Sequence, residues 1–377
     1  MTITTRPFPE QYVCIQDGLK EQNLDAIIAL SLENFYWISN ALIHTMRSIP
    51  DRLGAVLSIR DEDPVLLTCS IEETLVLEKT WITDVRTYQE FKQSPIAVIA
   101  EIMRQKGLGR GRIGIEKEYI VARFYDELKK ELPEVELVDV SSLFRKMRMV
   151  KTQREIDILS YAALATEKAI TTSFWEAKPG DLEVEVLNNM IIKTLQAGGA
   201  SASGSFGSGP KSAIAHPIAD KSPLKIGDIV SCDFVASFEG YSADIGRTAV
   251  VGGYNERQNR IYTSLYDVQR YLIDMVRPGV RACDLYFKAI ELLQAAGIDL
   301  SLSHVGHGIG IGLHEEPLLS PICEQPLLEN MVINIEPFFV TDEGYHSEDT
   351  MLVTKDGAKI LSTFADHSKI TCITDKK

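Results

Sequence analysis

Hydrophobic and polar positions change their period along this chain. Between residues 9 and 23, Tyr12, Val13, Ile15 and Leu19 fall at helical spacing, and 26–30 follows as an apolar run of strand length. Residues 34–39, 55–59, 64–69, 112–116 and 135–140 read as further short strands, rich in β-branched or aromatic residues. Helical stripes at 71–78, 96–106 and 121–131 lie between them. Such alternation predicts a small α/β domain. Gly109, Gly111 and Gly114 satisfy GxGxxG within it, but they follow a helix and enter a strand. A dinucleotide site needs the reverse order, so none is expected.

The stretch 141–152, SSLFRKMRMVKT, is basic between two acidic halves and marks a junction. One domain is expected at 1–148 and a second at 149–377. Long amphipathic helices are predicted at 153–177 and 182–197, the latter with Asp181 as N-cap. The Gly/Ser/Ala-rich segment 198–209 reads either as a linker or as a close-packed strand or loop lining a site. A hairpin pattern at 227–252, two helices at 255–276 and 282–296, and a second hairpin pattern at 329–357 complete the chain. Helix, helix, hairpin, repeated, predicts two α+β halves about a pseudo-twofold, with helices covering a curved antiparallel sheet.

The two hairpins carry the chemistry. Glu239-Gly240-Tyr241 in the first returns as Glu343-Gly344-Tyr345 in the second. An acid stands three residues after each Tyr, Asp244 and Glu348, and an apolar strand ending in an acid precedes each, Asp233 and Glu336. Four carboxylates gathered in an apolar core repel one another and need a cation. His307 lies among glycines in Gly306-His307-Gly308-Ile309-Gly310 and completes a mostly oxygen donor set. His216 and His314 read as substrate-facing donors to a carbonyl oxygen and its oxyanion, whereas His304 reads as structural. This donor set, without thiolate, favours Mn, Co or Fe(II) and permits Zn. Two such ions would share a water and lower its pKa, with Glu336 taking the proton and passing it to a leaving amine. That is amide hydrolysis.

Composition narrows the partners. Of 377 residues 45% are hydrophobic, enough for two cores, and the formal charge of −14 argues against nucleic acid or an anionic membrane surface. Six scattered cysteines form no CxxC, which fits a reducing cytoplasm. The start, MTITTRPFPEQ, has no apolar leader core, and no apolar run reaches membrane-spanning length. A cytoplasmic location is expected.

Asp233, Asp244, His307, Glu336 and Glu348, in this order and spacing, resemble the metal ligands of the pita-bread metallopeptidases: prolidase, aminopeptidase P and methionine aminopeptidase. The flanking Tyr241-Ser242-Ala243-Asp244-Ile245-Gly246-Arg247-Thr248, His314-Glu315-Glu316-Pro317, Ile335-Glu336-Pro337 and Glu348-Asp349-Thr350 agree. The first domain, with Asn34-Phe35-Tyr36-Trp37-Ile38-Ser39 and the Val150-Lys151-Thr152, Glu155-Ile156 junction, is similar to the creatinase-type N-domain of prolidases and aminopeptidase P. The resemblance implies an α/β creatinase-type domain followed by an α+β pita-bread domain with pseudo-twofold symmetry. It implies that Asp233 holds one ion, that Asp244 and Glu348 bridge, and that His307 and Glu336 hold the other. It makes His216 and His314 the substrate histidines, and implies two divalent ions, a small peptide or amide substrate and a homodimer. Two positions depart from the pattern. His346 replaces the usual Arg two residues before the last Glu, where it is expected to face substrate, and Val235 replaces a common Gly. The leading expectation is an Xaa-Pro dipeptidase or aminopeptidase. The alternatives are a metal-dependent enzyme acting on a small non-peptide metabolite, a non-catalytic binding relative, and metal-free creatinase-like catalysis.

Overall fold

The computed structural model describes residues 9–49, 51–298 and 303–375; most of the start read for a leader, residues 1–8, lies outside them. The chain divides into two compact units, Met1–Arg148 and Met149–Lys377. No helix among the described residues is long and apolar enough to cross a membrane.

In the first unit, β1 (Ala26–Ala29), β2 (Ala55–Ile59), β3 (Val65–Cys69), β4 (Asp84–Tyr88), β5 (Arg112–Ile115) and β6 (Glu136–Asp139) form one sheet in the order β4-β3-β2-β1-β5-β6. The helices are α1 (Glu10–Glu21), α2 (Leu32–Ser39), α3 (Thr45–Ser48), α4 (Glu73–Lys79), α5 (Pro95–Gln105), α6 (Ala122–Glu131) and α7 (Ser141–Met149). Central β1 is buried at every position, which is why its sequence is an unbroken apolar run. Residues 34–39, expected as a strand, are helix α2. Ser31 caps it by accepting from the Asn34 N–H at 3.1 Å, and Asn40 ends it in the left-handed region at φ 58°. Its Phe35-Tyr36-Trp37-Ile38 run is buried all round, so periodicity cannot separate it from a buried strand. Strand β4 had no counterpart in the sequence pattern, because only Tyr88 of its five residues is fully buried.

The second unit contains α8 (Gln153–Glu176), α9 (Glu183–Gln196), β7 (Ser201–Ser208), β8 (Ile229–Phe238), β9 (Tyr241–Val251), α10 (Glu256–Met275), α11 (Ala282–Ala295), β10 (Gly306–Gly308), β11 (Glu315–Leu318), β12 (Val332–Ile335), β13 (Phe338–Val340), β14 (Gly344–His346), β15 (Asp349–Thr354), β16 (Gly357–Ile360) and β17 (Thr371–Ile373). Its strands form sheets β17-β9-β8-β7 and β11-β10-β12-β15-β16, with β13-β14 as a separate ribbon. The expected single curved sheet is thus hydrogen-bonded as distinct sheets. The first hairpin is the uninterrupted β8–β9 pair turning at Glu239-Gly240. The second is interrupted: β12 pairs with β15, and Pro337, which has no N–H, falls between β12 and β13.

Thr152 and Glu155 form a reciprocal capping box that starts α8. Asp181 is not the cap of α9; that position is Leu182, and the Asp181 carboxylate instead accepts from the Lys178 N–H within the preceding turn. The glycine-rich segment is strand β7, at the edge of its sheet. A Cβ on Gly204 would stand 2.6 Å from the Asp233 carbonyl oxygen, so only glycine lets β7 approach β8 this closely. Leu265, Leu272, Leu285 and Leu293 of α10 and α11 pack on Ile333, Ile335, Met351 and Val353 of the sheet behind the second hairpin. That core fixes the strands from which the acids project.

Candidate metal centre

Strand pairing decides which acids meet. Asp233 pairs with Gly246 across the β8–β9 ladder. Asp244 is two residues from Gly246 and therefore lies on the same face as Asp233, its diagonal neighbour. In the other half His307 on β10 is opposite Asn334 on β12, and Asn334 is opposite Thr350 on β15. Glu336 directly follows β12 and Glu348 directly precedes β15. The Glu348 N–H donates to the Gly246 carbonyl at 3.0 Å, which ties the two halves together at the acids.

The result is one cluster of buried or largely buried acids between two imidazoles. His307 Nε2 lies 3.8 Å from Asp244 Oδ2, 3.6 Å from Glu336 Oε1 and 3.7 Å from Glu348 Oε1. The opposite oxygens of the two glutamates face His346, with Nε2 3.8 Å from Glu336 Oε2 and 3.7 Å from Glu348 Oε2. Donor atoms of Asp233, His346 and Glu348 lie within 4.8 Å of one another, as do those of His307, Glu336 and Glu348, and those of Asp244, His307 and His314. His314 is exposed and stacks on His307 at 3.9 Å between ring centroids. His216 is exposed in the segment before β8, and among the described residues it makes no ion pair with the cluster. His346, expected to face substrate, is buried. His304, read as structural, reaches the site: its Nε2 is 3.1 Å from Glu336 Oε1.

The electrostatics are those of a cluster short of positive charge. Burial, then the charges of Glu348 and Asp233, hold the Asp244 carboxyl well above the usual range. Burial and the Glu336 charge push Glu348 up as well. Glu336 is pulled down, because His304 and His346 outweigh its burial. Burial opposes protonation of His346, yet Glu336, Asp233 and Glu348 push it up to about 9. Asp233 Oδ1, Asp244 Oδ1, Glu348 Oε2, His307 Nε2 and His346 Nε2 are buried with no hydrogen-bond partner among the described residues. Leaving one such atom unsatisfied costs about 1–3 kcal/mol, more when charged, so five aimed into one space call for a ligand there. His307 Nδ1 donates to the Gly308 carbonyl at 2.9 Å, which leaves the Nε2 lone pair free to donate to a metal. The donor set fits divalent cations.

A model of metallopeptidase family M24 matches residues 157–355, and a model of the creatinase/prolidase N-terminal domain matches 14–150. The chain belongs to metallopeptidase family M24. It is therefore an enzyme of a metal-dependent peptidase family. A Xaa-Pro dipeptidase of Pyrococcus horikoshii is 30% identical over 353 residues, 92% of this chain and 95% of that one. A Xaa-Pro dipeptidase of Pyrococcus furiosus is 33% identical over 232 residues, 60% of this chain and 67% of its own. Among solved structures, the Pyrococcus horikoshii prolidase superposes with a TM-score of 0.83 at 29% identity, covering 95% of this chain and 99% of that one. A Bacillus anthracis Xaa-Pro dipeptidase superposes with a TM-score of 0.86 at 23% identity, covering 96% and 99%, and shows the shared fold.

Around this M24 centre stand residues that the sequence pattern did not single out. Asn334 Nδ2 donates to Glu348 Oε1 at 2.7 Å and to the Asp244 carbonyl at 3.0 Å. Gln269 Nε2 donates to the carbonyls of Ile335 and Ser347, fixing the chain just before both glutamates. Arg247 donates to the Glu348 carbonyl and pairs with Asp349 at 2.7 Å and Glu167 at 3.2 Å. Each lies far in sequence from what it orients, so only a polar residue inside an apolar strand or helix hinted at it.

Proposed function

We propose that this chain is a dinuclear-metal-dependent Xaa-Pro dipeptidase or Xaa-Pro aminopeptidase, cleaving the bond before proline. The observation that carries the reading is the placement of Glu336 and Glu348, each presenting one oxygen toward His307 and the other toward His346. Asp233, Asp244, His307, Glu336 and Glu348 would hold two divalent ions, Mn or Co in first place, with Zn or Fe as the other candidates. When bound, such ions polarise the scissile carbonyl and lower the pKa of a shared water. Glu336 is the most exposed of the three acids that face His307, with 17% of its side chain accessible, against 7% for Asp244 and 1% for Glu348. That exposure supports Glu336 as the group that would take the proton of the attacking water and deliver it to the leaving proline nitrogen. His314, exposed and stacked over the His307 ring, would donate to the carbonyl oxygen. His216 takes its substrate role only if its loop brings it to the bound peptide. The relatives' names support the substrate class, the family resemblance supports a homodimer, and the scattered cysteines without CxxC support a cytoplasmic location.

The test is metal content together with hydrolysis of Xaa-Pro dipeptides, longer Xaa-Pro peptides and matched peptides without proline, after reconstitution with Mn or Co. Two ions per chain with proline-dependent cleavage are expected, and Glu336→Gln should lower kcat by ~10²–10⁴-fold. One observation favours a second reading, a hydrolase or lyase acting on a small non-peptide metabolite. The buried His346 stands where an Arg would reach substrate, and imidazole does not replace a permanently charged fork. Bound metal without any peptide cleavage would select that reading.

A further inference from the structure

The replacement at position 346 changes more than a substrate contact. We propose that His346 is itself a metal ligand, giving an imidazole to the ion held by Asp233 and Glu348, so that each of the two ions carries one histidine. This rests on the two-metal reading above and deepens it.

The His346 ring is placed for that task by the strands on either side. Its backbone N–H donates to Thr248 Oγ1 at 2.7 Å, and that hydroxyl donates back to the His346 carbonyl at 2.8 Å. The Phe338 ring meets the imidazole edge-on at 5.3 Å. On the other side is Gly246, the residue paired with Asp233. A Cβ there would stand 2.6 Å from Cε1 and 2.7 Å from Cγ and Nδ1 of His346. The imidazole therefore fills the space that the absent side chain leaves, beside one acid of each hairpin. Nε2 has no hydrogen-bond partner among the described residues, and its nearest carboxylate oxygens, at 3.7 and 3.8 Å, are too far for one. They are well placed to share a cation with it, and the donor atoms of Asp233, His346 and Glu348 all lie within 4.8 Å of one another.

The chemistry differs from that of the usual Arg. A guanidinium is a fixed cation with no lone pair to give, whereas a neutral imidazole is a metal ligand. Two imidazoles among the carboxylates also shift the centre away from Mn, which suits all-oxygen sites, toward Co, Zn or Fe.

The experiment uses the metal-depleted full chain, titrated with Co²⁺ by calorimetry and visible absorption. Imidazoles are counted by X-ray absorption on the Zn²⁺-loaded protein. Wild type, His346→Ala and Gly246→Ala are compared, each first shown folded by circular dichroism without metal. The wild type is expected to take two ions with two imidazoles per chain. His346→Ala should weaken one of the two ions by at least about tenfold and remove one imidazole. Gly246→Ala, which keeps the histidine but displaces its ring, should weaken the same ion. Two ions bound with one imidazole per chain, unchanged in His346→Ala, would overturn the inference and leave the two-metal reading standing. No divalent ion bound by the wild type would overturn both.

Discussion

At the scale of single residues, the acids of the candidate centre are braced by neighbouring polar side chains. Asn334 is buried in an apolar strand and spends both amide hydrogens on the centre, one on Glu348 Oε1 and one on the Asp244 carbonyl. Removing it frees Glu348 to rotate. Asn334→Ala is therefore expected to weaken metal binding by about 10–100-fold while the fold persists, the usual effect of losing a residue that orients a ligand. Calorimetric titration checks this, and an unchanged affinity would show that Glu348 is held by its strand alone. The four acids among the candidate ligands stood out in the sequence because an acid inside an apolar run is seldom buried without a partner or a metal. Asn334, Gln269 and His304 were not, because a single polar residue among apolar ones names no partner. His304 shows its part only in three dimensions, where its approach to Glu336 brings it into the site.

At the scale of elements, two contacts set the shape of the site. Lys151, before α8, pairs with Glu315 at 2.9 Å, and both side chains are almost fully buried. Glu315 Oε1 also accepts from the Gly312 N–H at 3.0 Å, and its carboxylate occupies the space beside Gly310 and Gly312. That pair shapes the loop joining His307 to His314. Lys151→Ala removes the cation paired with a buried carboxylate and should destabilise the protein by about 3–5 kcal/mol. Lys151→Met combined with Glu315→Leu should recover much of the loss in a denaturant melt, and failure to recover would mean that the lysine acts through other contacts. The second contact is that of β7 with β8. Gly204→Val sets a branched side chain against the Asp233 carbonyl and should cost about 1–3 kcal/mol or part the strands. A wild-type melting temperature would count against that close approach. The glycine-rich segment looked equally like a linker, because composition alone does not show that another backbone runs beside it.

At the scale of the whole molecule, the network behind the centre predicts how stability responds to acid. Burial would raise the Glu167 pKa, but the His367 hydrogen bond, the Arg247 charge and the Phe364 N–H together hold it below the ordinary value. A native pKa below the unfolded one means that the stabilisation is complete above the unfolded-state pKa. It is lost as pH falls through the native value. Glu167→Gln should therefore lower the melting temperature near neutral pH and flatten its decline on the acid side, measured without metal. An identical pH profile would show that Glu167 does not govern the acid response. The sequence by itself determined the α/β and α+β classes, the paired acidic hairpins and the family, because period and spacing are local and survive without the third dimension. Tertiary structure decided what depends on distant neighbours. Helix α2 took its form from its caps and burial on every side, and the second hairpin divided at Pro337 between a sheet and a ribbon. The His346 ring lies buried beside the Glu336 and Glu348 carboxylates, in space that Gly246, on another strand, leaves for it.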